Sequence, residues 1–272
     1  MSSNPLSRQL DVASSVMMTF MRGGVGMATQ PAQVRPAYLF ELYEFEGCPY
    51  CRVVREALTE LDLDATIYPC PKGGERFRPK ALALGGKTQF PFLVDPNNGR
   101  QLYESADIVR YLFQEYGQRE LPLHWRWVEL QQMGSGLAGL SRFGAGVKVR
   151  GSKAPEQALE LYSFESSPFG RLVRETLCEL ELPYVLRSVG RSTASDWVPP
   201  GLRRALGIKA EPETVNRKAL LERAGEISIP YLVDPNTGKE LSESGDIIDY
   251  LERTYALADQ SSWRGTATNR AD

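Results

Sequence analysis

The chain has 272 residues and a formal net charge of −2, from 32 Lys and Arg and 34 Asp and Glu. This balance offers no cluster of cations for nucleic-acid phosphates, so DNA and RNA are not expected as partners. Four cysteines are too few for a disulfide scaffold and indicate a reducing compartment, and no run approaches the roughly 20 apolar residues of a membrane span.

Residues 1–37 are predicted to form an amphipathic helical leader. Asn4-Pro5 is typical of a helix start, and apolar residues then recur at helical spacing until Gly23-Gly24. We expect this helix to pack on the rest of the protein, with docking of residues 5–22 on a membrane surface or a partner as the alternative.

The leader lacks the pattern of a secretory signal. We expect a cytoplasmic protein, with the chloroplast stroma as the alternative because the segment is poor in acids and contains Ser and Arg.

Residues 38–120 are predicted to form a domain with the element order β-α-β-α-β-β-α. A short strand leads to a turn at Gly47-Cys48-Pro49, where a helix with a buried apolar stripe begins. The segment Asp95–Gly99 is typical of a hairpin turn, because Asn and Gly tolerate the positive φ angles that such turns require. The domain ends with a second amphipathic helix.

Residues 158–258 repeat this domain. The segment Leu42–Glu56 matches Leu161–Glu175 at an offset of 119 residues, and Phe90–Gly99 matches Ile229–Gly238 at an offset of 139. The second repeat therefore carries 20 extra residues, which the alignment places between about Gly190 and Pro212. Repeats of this length are whole domains and not solenoid units.

Residues 121–157 are predicted to be a linker that carries a second leader, and 259–272 a flexible tail. The segment Arg22–Gly26 is echoed by Arg142–Gly146, so the duplicated unit is expected to include part of the leader. The stretch that follows is polar and broken by Gly and Pro, as linkers are.

The two repeats differ where chemistry is expected. Cys48 and Cys51 flank Pro-Tyr in the first repeat, whereas Ser167 and Gly170 stand in their places in the second. The free N–H groups at a helix start stabilise a thiolate, which lowers a cysteine pKa from about 8.5 to about 3.5–7.5 in such motifs. We therefore predict that Cys48 is a nucleophile, and that Cys51, one turn behind it, resolves a mixed disulfide.

Basic residues and metals bear on this prediction. Arg52 and Arg55, one turn further along the helix, are expected to stabilise the Cys48 thiolate. The alternative for a Cys-x-x-Cys pair is half of a metal site, but a structural zinc site requires four ligands and the chain has no second pair. No metal is expected.

The Cys-Pro-Tyr-Cys sequence, the proline that opens the third strand and Glu104-Ser105 at a helix start resemble the glutaredoxin and glutathione transferase N-terminal forms of the thioredoxin fold. The resemblance covers about 38–117 and 158–256 and suggests tandem transferase-N-terminal-domain proteins of plants and photosynthetic microbes. It implies an α/β protein with two tandem thioredoxin-like domains and a short helical leader. The all-helical second domain of ordinary transferases has no counterpart in the pattern, so their second-substrate chemistry is not expected.

The resemblance also implies glutathione as a cosubstrate and a set of residues that bind it. Both prolines are expected to follow cis peptide bonds, so that the backbone of the preceding residue pairs with glutathione, and each Glu-Ser pair is expected to hold its γ-glutamyl group. The implied residues are Tyr50, Phe90, Pro91, Glu104, Ser105, Ser167, Ile229, Pro230, Glu243 and Ser244. The alternatives are ordinary edge-strand prolines and simple helix caps.

The predicted function is a glutathione-linked thiol–disulfide oxidoreductase with a redox-active disulfide, which acts on disulfide or glutathionylated protein substrates. In the second repeat, Ser167 is compatible with glutathione binding or with a purely structural domain. Two alternatives remain. The first is a non-catalytic scaffold that binds partners through the leader or through the 192–212 insertion, and the second is a glutathione transferase without the helical C-terminal domain. An iron–sulfur cluster shared with glutathione is a further alternative for the cysteine pair.

Overall fold

The computed structural model describes residues 13, 15–16, 25–125, 144–198 and 200–257. Most of the predicted leader helix and the tail at 259–272 lie outside these residues. Ser15, in the described part of the leader, donates a hydrogen bond from its hydroxyl to the carbonyl of Pro168 at 2.7 Å. No helix of the described part is long and apolar enough to cross a membrane.

The first repeat has the predicted order β-α-β-α-β-β-α. Its elements are β1 (Phe40–Glu44), α1 (Pro49–Leu61), β2 (Ala65–Pro69), α2 (Arg78–Gly85), β3 (Phe92–Asp95), β4 (Arg100–Leu102) and α3 (Ser105–Glu115). The predicted stripe of α1 is buried, and Val54, Leu58 and Leu61 join Ile108 and Leu112 of α3 in one core. The helical spacing in the sequence thus positions the helix that begins after Cys48.

The second repeat has the same order with one additional helix. Its elements are β5 (Leu159–Ser163), α4 (Pro168–Glu179), β6 (Tyr184–Ser188), α5 (Pro200–Ala205), α6 (Val215–Ala224), β7 (Tyr231–Asp234), β8 (Lys239–Leu241) and α7 (Ser244–Tyr255). A turn of 3-10 helix at Ala194–Trp197 precedes α5. Both lie in the predicted insertion, so the extra residues form a structure of their own beside the second repeat.

The two repeats share one eight-stranded sheet with the order β4-β3-β1-β2-β6-β5-β7-β8. Within each repeat the first two strands are parallel, with Leu42 opposite Ile67 and Leu161 opposite Leu186. Strands β2 and β6 pair antiparallel at the centre, with Thr66 opposite Val185. This pairing satisfies backbone groups that would be exposed at an edge strand of either repeat alone. The sequence did not predict this joint sheet.

The leader of each repeat crosses to the other repeat. Ala28 forms a bridge with Arg191 in the second repeat, and Lys148 forms the equivalent bridge with Lys72 in the first. Gly26 and Gly146 take the same left-handed conformation, with φ of 78° and 70°, which favours glycine. These matching contacts are the ones expected if the duplicated unit includes part of the leader.

Candidate functional site

Cys48 caps the N-terminus of α1. Its backbone is extended, and its Sγ accepts a hydrogen bond from the backbone N–H of Cys51 at 3.4 Å. Pro49 occupies the first turn, where an absent N–H costs no hydrogen bond. Cys48 is 4% exposed, Cys51 is fully buried behind it, and both are free thiols. The predicted cysteine pair therefore lies at the helix start as expected.

The two thiols differ in acidity. The hydrogen bond from the Cys51 side chain lowers the pKa of Cys48 against the effect of burial, with further help from the N–H groups of Cys51 and Tyr50 and from the charge of Arg55. Burial, together with the same hydrogen bond to Cys48, raises the pKa of Cys51 well above its usual value. This arrangement favours one thiolate, on Cys48, and one protonated thiol that donates to it.

The pH dependence of Cys48 alkylation tests this arrangement. We expect the rate of modification of Cys48 by iodoacetamide, followed by peptide mass, to reach half its maximum below the ordinary thiol pKa of about 8.5. The variant Cys51→Ala is expected to move that midpoint upward, because the donor that stabilises the thiolate is lost. Cys51→Ser keeps a donor and should move it less. An unchanged midpoint in Cys51→Ala would mean that Cys51 does not stabilise the thiolate.

Both predicted prolines follow cis peptide bonds, at Phe90-Pro91 and Ile229-Pro230. In the first repeat, the ring of Phe90 packs edge-on against Phe45, just before the cysteine motif, with centroids 6.4 Å apart. Tyr50 is 49% exposed and so available to a ligand at the helix start.

The Glu-Ser pairs of the two repeats differ in backbone conformation. Glu104 has φ of 62°, whereas Glu243 is extended with φ of −95°. A positive φ at a residue other than glycine costs about 1–3 kcal/mol, and such strain concentrates at functional sites. The Glu104 carboxylate accepts a hydrogen bond from Gln89 at 2.6 Å, and Ser105 is buried at the start of α3. Nothing in the sequence indicates this difference, because both repeats have Glu-Ser at this position.

In the second repeat, the five predicted residues line one cavity of about 480 Å³; they are Ser167, Ile229, Pro230, Glu243 and Ser244. Ser167 caps α4 as Cys48 caps α1, and its Oγ accepts from the N–H of Gly170 at 3.0 Å. The hydroxyl proton of Ser167 can still be donated to a ligand. The structure thus brings the five residues together. Three arginines of the same wall were not expected from the sequence, namely Arg191, Arg203 and Arg217.

A buried cluster of charged residues joins α1 of the first repeat to α4 of the second. Arg55 of α1 ion-pairs with Glu44, with Glu46 at 2.9 Å and with Glu165 of the second repeat at 2.8 Å. Arg174, which stands at the position of Arg55 in the second repeat, pairs with Glu46 at 3.1 Å and with Glu165 at 3.0 Å. Each repeat thus supplies an arginine and a glutamate to the other.

These neighbours change the pKa values inside the cluster. Although burial acts to raise it, Arg174, Arg55 and Arg52 hold the pKa of Glu165 well below its usual range. Burial raises the pKa of Glu44 to about 8, against the opposing effect of Arg55. Of the two arginines expected to stabilise the thiolate, Arg55 contributes to the lowered pKa of Cys48, whereas Arg52 pairs with Glu165 at 3.2 Å.

The remaining cysteines do not resemble reactive thiols. Cys70 and Cys178 are buried, and burial raises the pKa of each thiol. Cys178 accepts a hydrogen bond from the backbone N–H of Glu46 at 3.3 Å, so it packs between the repeats. Within the described residues, no group of three or more His, Cys, Asp and Glu side chains is arranged to hold a metal ion.

A family model and a solved structure are similar to parts of this chain. The family model described as "Glutathione S-transferase, N-terminal domain" matches residues 42–120 and again 161–260. Among the solved structures, a glutathione transferase of Bombyx mori is 30% identical, over 32% of this chain and 39% of that chain, with a TM-score of 0.29. The chain thus spans well under two thirds of that transferase. No curated protein matches the chain.

The family match confirms the predicted fold class of two tandem thioredoxin-like domains. Its two segments coincide with the two repeats and together cover more than half of the chain. The chain therefore belongs to the glutathione S-transferase N-terminal domain family and carries one copy of that domain in each repeat.

Proposed function

We propose that the first repeat is a glutathione-linked thiol–disulfide oxidoreductase, with glutathione as its cosubstrate. The observation that carries this proposal is the pair of thiols at the start of α1, where Cys48 has a lowered pKa and Cys51 a raised one. A thiolate at a helix start with a second thiol one turn behind it is the arrangement that dithiol disulfide exchange uses. The family match supports a glutathione-related role.

The proposed reaction begins at the Cys48 thiolate. It attacks the glutathione sulfur of a glutathionylated protein, so that a Cys48–glutathione disulfide forms and the protein sulfur leaves as a thiolate that takes up a proton. A second glutathione thiolate then attacks the mixed disulfide, which yields oxidised glutathione and restores Cys48. Alternatively, Cys51 loses its proton to water and attacks Cys48 Sγ, which releases reduced glutathione and leaves a Cys48–Cys51 disulfide.

Other residues of the first repeat bind glutathione in this proposal. The backbone of Phe90 before the cis proline pairs with the cysteinyl part of the tripeptide, beside Tyr50. Glu104 and Ser105 take its γ-glutamyl group at the start of α3. The strained φ of Glu104 supports this role in the first repeat, since strain of this kind persists where it serves a site.

In the second repeat, we propose that Ser167 donates to a glutathione thiol without redox turnover, with Ile229, Pro230, Glu243 and Ser244 around the same ligand. The shared cavity of these residues supports binding. The relaxed backbone of Glu243 favours the alternative of a structural copy.

The dithiol chemistry proposed for the first repeat suits a reducing compartment, and we propose the cytoplasm or the chloroplast stroma.

Intact mass spectrometry across glutathione redox buffers tests the proposed oxidoreductase. We expect a single glutathione adduct in Cys51→Ser and none in the matched variant Cys48→Ser. Wild type should instead form an intramolecular disulfide, at a potential of about −200 to −230 mV as in glutaredoxins. Absence of both the adduct and the disulfide would overturn the proposal. A transferase would instead consume glutathione with an electrophile and retain that activity in Cys51→Ser.

A second candidate function, an interaction scaffold, is favoured by the insertion. Four apolar side chains on or beside α5 are exposed to solvent; they are Trp197, Leu202, Leu206 and Ile208. Clustered exposed apolar residues of this kind mark interaction surfaces. A protein with no Cys48 adduct in the mass experiment, but with its fold intact, would fit this function.

A further inference from the structure

The cavity of the second repeat is walled by more positive charge than its own residues neutralise. Three guanidinium groups line it, from Arg191, Arg203 and Arg217, against the carboxylates of Asp196 and Glu243. Arg217 occupies the position that Arg78 holds in the first repeat, at the start of the equivalent helix. Arg203 belongs to the insertion, whereas Arg191 stands at the position that Lys72 holds in the first repeat. The additional cation of the second repeat is therefore Arg203.

Arg203 is the central observation. It is 6% exposed and lines the cavity, yet it has no hydrogen-bond or ion-pair partner among the described residues. A guanidinium in a largely buried side chain loses much of its hydration, which is costly unless an opposite charge compensates for it. An anionic group in the cavity would supply that compensation.

The nearby carboxylate of Asp196 is already engaged. Its Oδ2 accepts from the backbone N–H groups of Ser192 and Thr193 at 3.0 and 3.1 Å, and its Oδ1 pairs with Arg217 at 2.8 Å. Burial lowers the pKa of Arg217 despite Asp196, and the charges of Arg191 and Arg203 lower it further. The three guanidinium groups are therefore close enough to repel one another, and the second repeat leaves their excess charge without a counterion.

The guanidinium of Arg191 is held by aromatic rings and donates no hydrogen bond to the described residues. Its guanidinium lies over the ring of Trp197 at 4.9 Å and over that of Phe164 at 5.5 Å. Stacking of this kind fixes the plane of the group and leaves its N–H edges for an anion, which arginine binds in a bidentate manner. The rest of the wall is largely apolar and includes Phe169, Val198 and Ile227.

We propose that this cavity binds an organic anion with an apolar body and a phosphate or carboxylate head, which Arg203 and Arg191 hold, in competition with the glutathione proposed above for the same cavity. The insertion adds Arg203 to the wall of this cavity, which the start of α7 also lines. The apolar wall takes the body of the ligand, and the arginines take its head. This role is independent of the thiol chemistry of the first repeat.

Calorimetric titration of the full chain in a phosphate-free buffer tests the proposal. The probes share a benzene ring: phenyl phosphate carries a phosphate head, benzoate a carboxylate head, and benzyl alcohol no charge. We expect one or both anions to bind and benzyl alcohol not to bind, and the stronger anion identifies the head group. Arg203→Gln should weaken that binding at least about tenfold, as expected for the loss of a charge-assisted hydrogen bond.

The control is Arg223→Gln, which alters a half-exposed arginine of α6 that pairs with Glu240 outside the cavity and should leave binding within about twofold. Arg191→Gln provides a second variant in the site. Unliganded Arg203→Gln should unfold at a temperature no lower than wild type, because it removes an uncompensated charge. A lower unfolding temperature would make Arg203 a structural residue and overturn the proposal. So would binding of glutathione alone, with no binding of phenyl phosphate or benzoate.

Discussion

Replacement of Cys48 by serine is expected to reduce turnover of a glutathionylated substrate by at least about 10³-fold, a loss typical of removing a catalytic nucleophile. The serine hydroxyl keeps the capping geometry, because Ser167 caps α4 in the same way with its Oγ 3.0 Å from the N–H of Gly170. It does not ionise near neutral pH and forms no disulfide. The loss would therefore be one of chemistry and not of fold, and the rate of release of the protein thiol measures it.

The matched control for this prediction is Ser167→Ala at the equivalent position of the second repeat. If turnover belongs to the first repeat, this variant should retain it within about twofold. Equal losses in Cys48→Ser and Ser167→Ala would place the reaction across both repeats. A fully active Cys48→Ser would show that Cys48 is not the nucleophile.

The variant Glu165→Gln is expected to lower the free energy of unfolding by about 3–5 kcal/mol, as is typical of breaking a buried ion pair on one side. Glu165 is buried among Arg52, Arg55 and Arg174, which would lose their shared counterion. Because Glu165 lies in the second repeat and Arg52 and Arg55 in the first, we expect the two repeats to lose stability together. Urea unfolding, followed by far-UV circular dichroism, provides the measurement.

Asp107→Asn is the control for the Glu165 variant. Asp107 pairs with Arg110 on the surface of α3, where both side chains are more than half exposed, and such pairs contribute at most about 1 kcal/mol. Similar small losses in both variants would contradict the importance of the buried cluster. Two separate unfolding transitions would contradict the joint stability of the repeats.

The stability lost in Glu165→Gln is expected to depend on pH, because the pKa of Glu165 in the wild-type protein is lowered. A carboxyl whose pKa is lower in the folded state contributes stability above its ordinary pKa, about 4.3, and loses that contribution as the pH falls through the folded value. The deficit of Glu165→Gln should therefore be full at neutral pH and shrink in acid. Glu44 acts in the opposite direction, because its pKa is raised to about 8, and its protonation favours the fold below that pH.

The buried cluster also connects the second repeat to the thiol pair of the first. Arg55 contributes to the lowered pKa of Cys48, and Glu165 of the second repeat holds the Nε of Arg55 at 2.8 Å. Arg55 thus places a positive charge near the Cys48 thiol, and Glu165 of the other repeat helps to hold Arg55 in position. A repeat that has lost both cysteines still determines where this cation lies.

Local features of the sequence predicted much of the fold. The apolar spacing along α1 and the hairpin turn at Asp95–Gly99 depend on neighbours within a few residues, so they can be read without the rest of the chain. The same holds for Cys48 at its helix start, since proline and the capping position are signals within one turn. Because the second half of the chain repeats the first, the same predictions applied there, including the residues that line the cavity around Ser167.

Only the tertiary structure decided how the repeats combine. The antiparallel pairing of β2 with β6 joins residues more than a hundred positions apart. The bridges of the leaders, Ala28 with Arg191 and Lys148 with Lys72, also join distant parts of the chain. The sequence indicated Arg55 only as a neighbour of Cys48 and gave Glu165 no role, yet the two side chains are buried against each other. Their burial depends on which surfaces meet, and sequence periodicity within one repeat carries no information about that.

The two candidate sites show the same division. Residue identities along the chain determined which repeat has thiols and which has hydroxyl and glycine in their place. The strained φ of Glu104, the relaxed φ of Glu243 and the burial of Arg203 were decided by packing, because backbone strain and the desolvation of a charge arise only from groups that the folded chain brings around them.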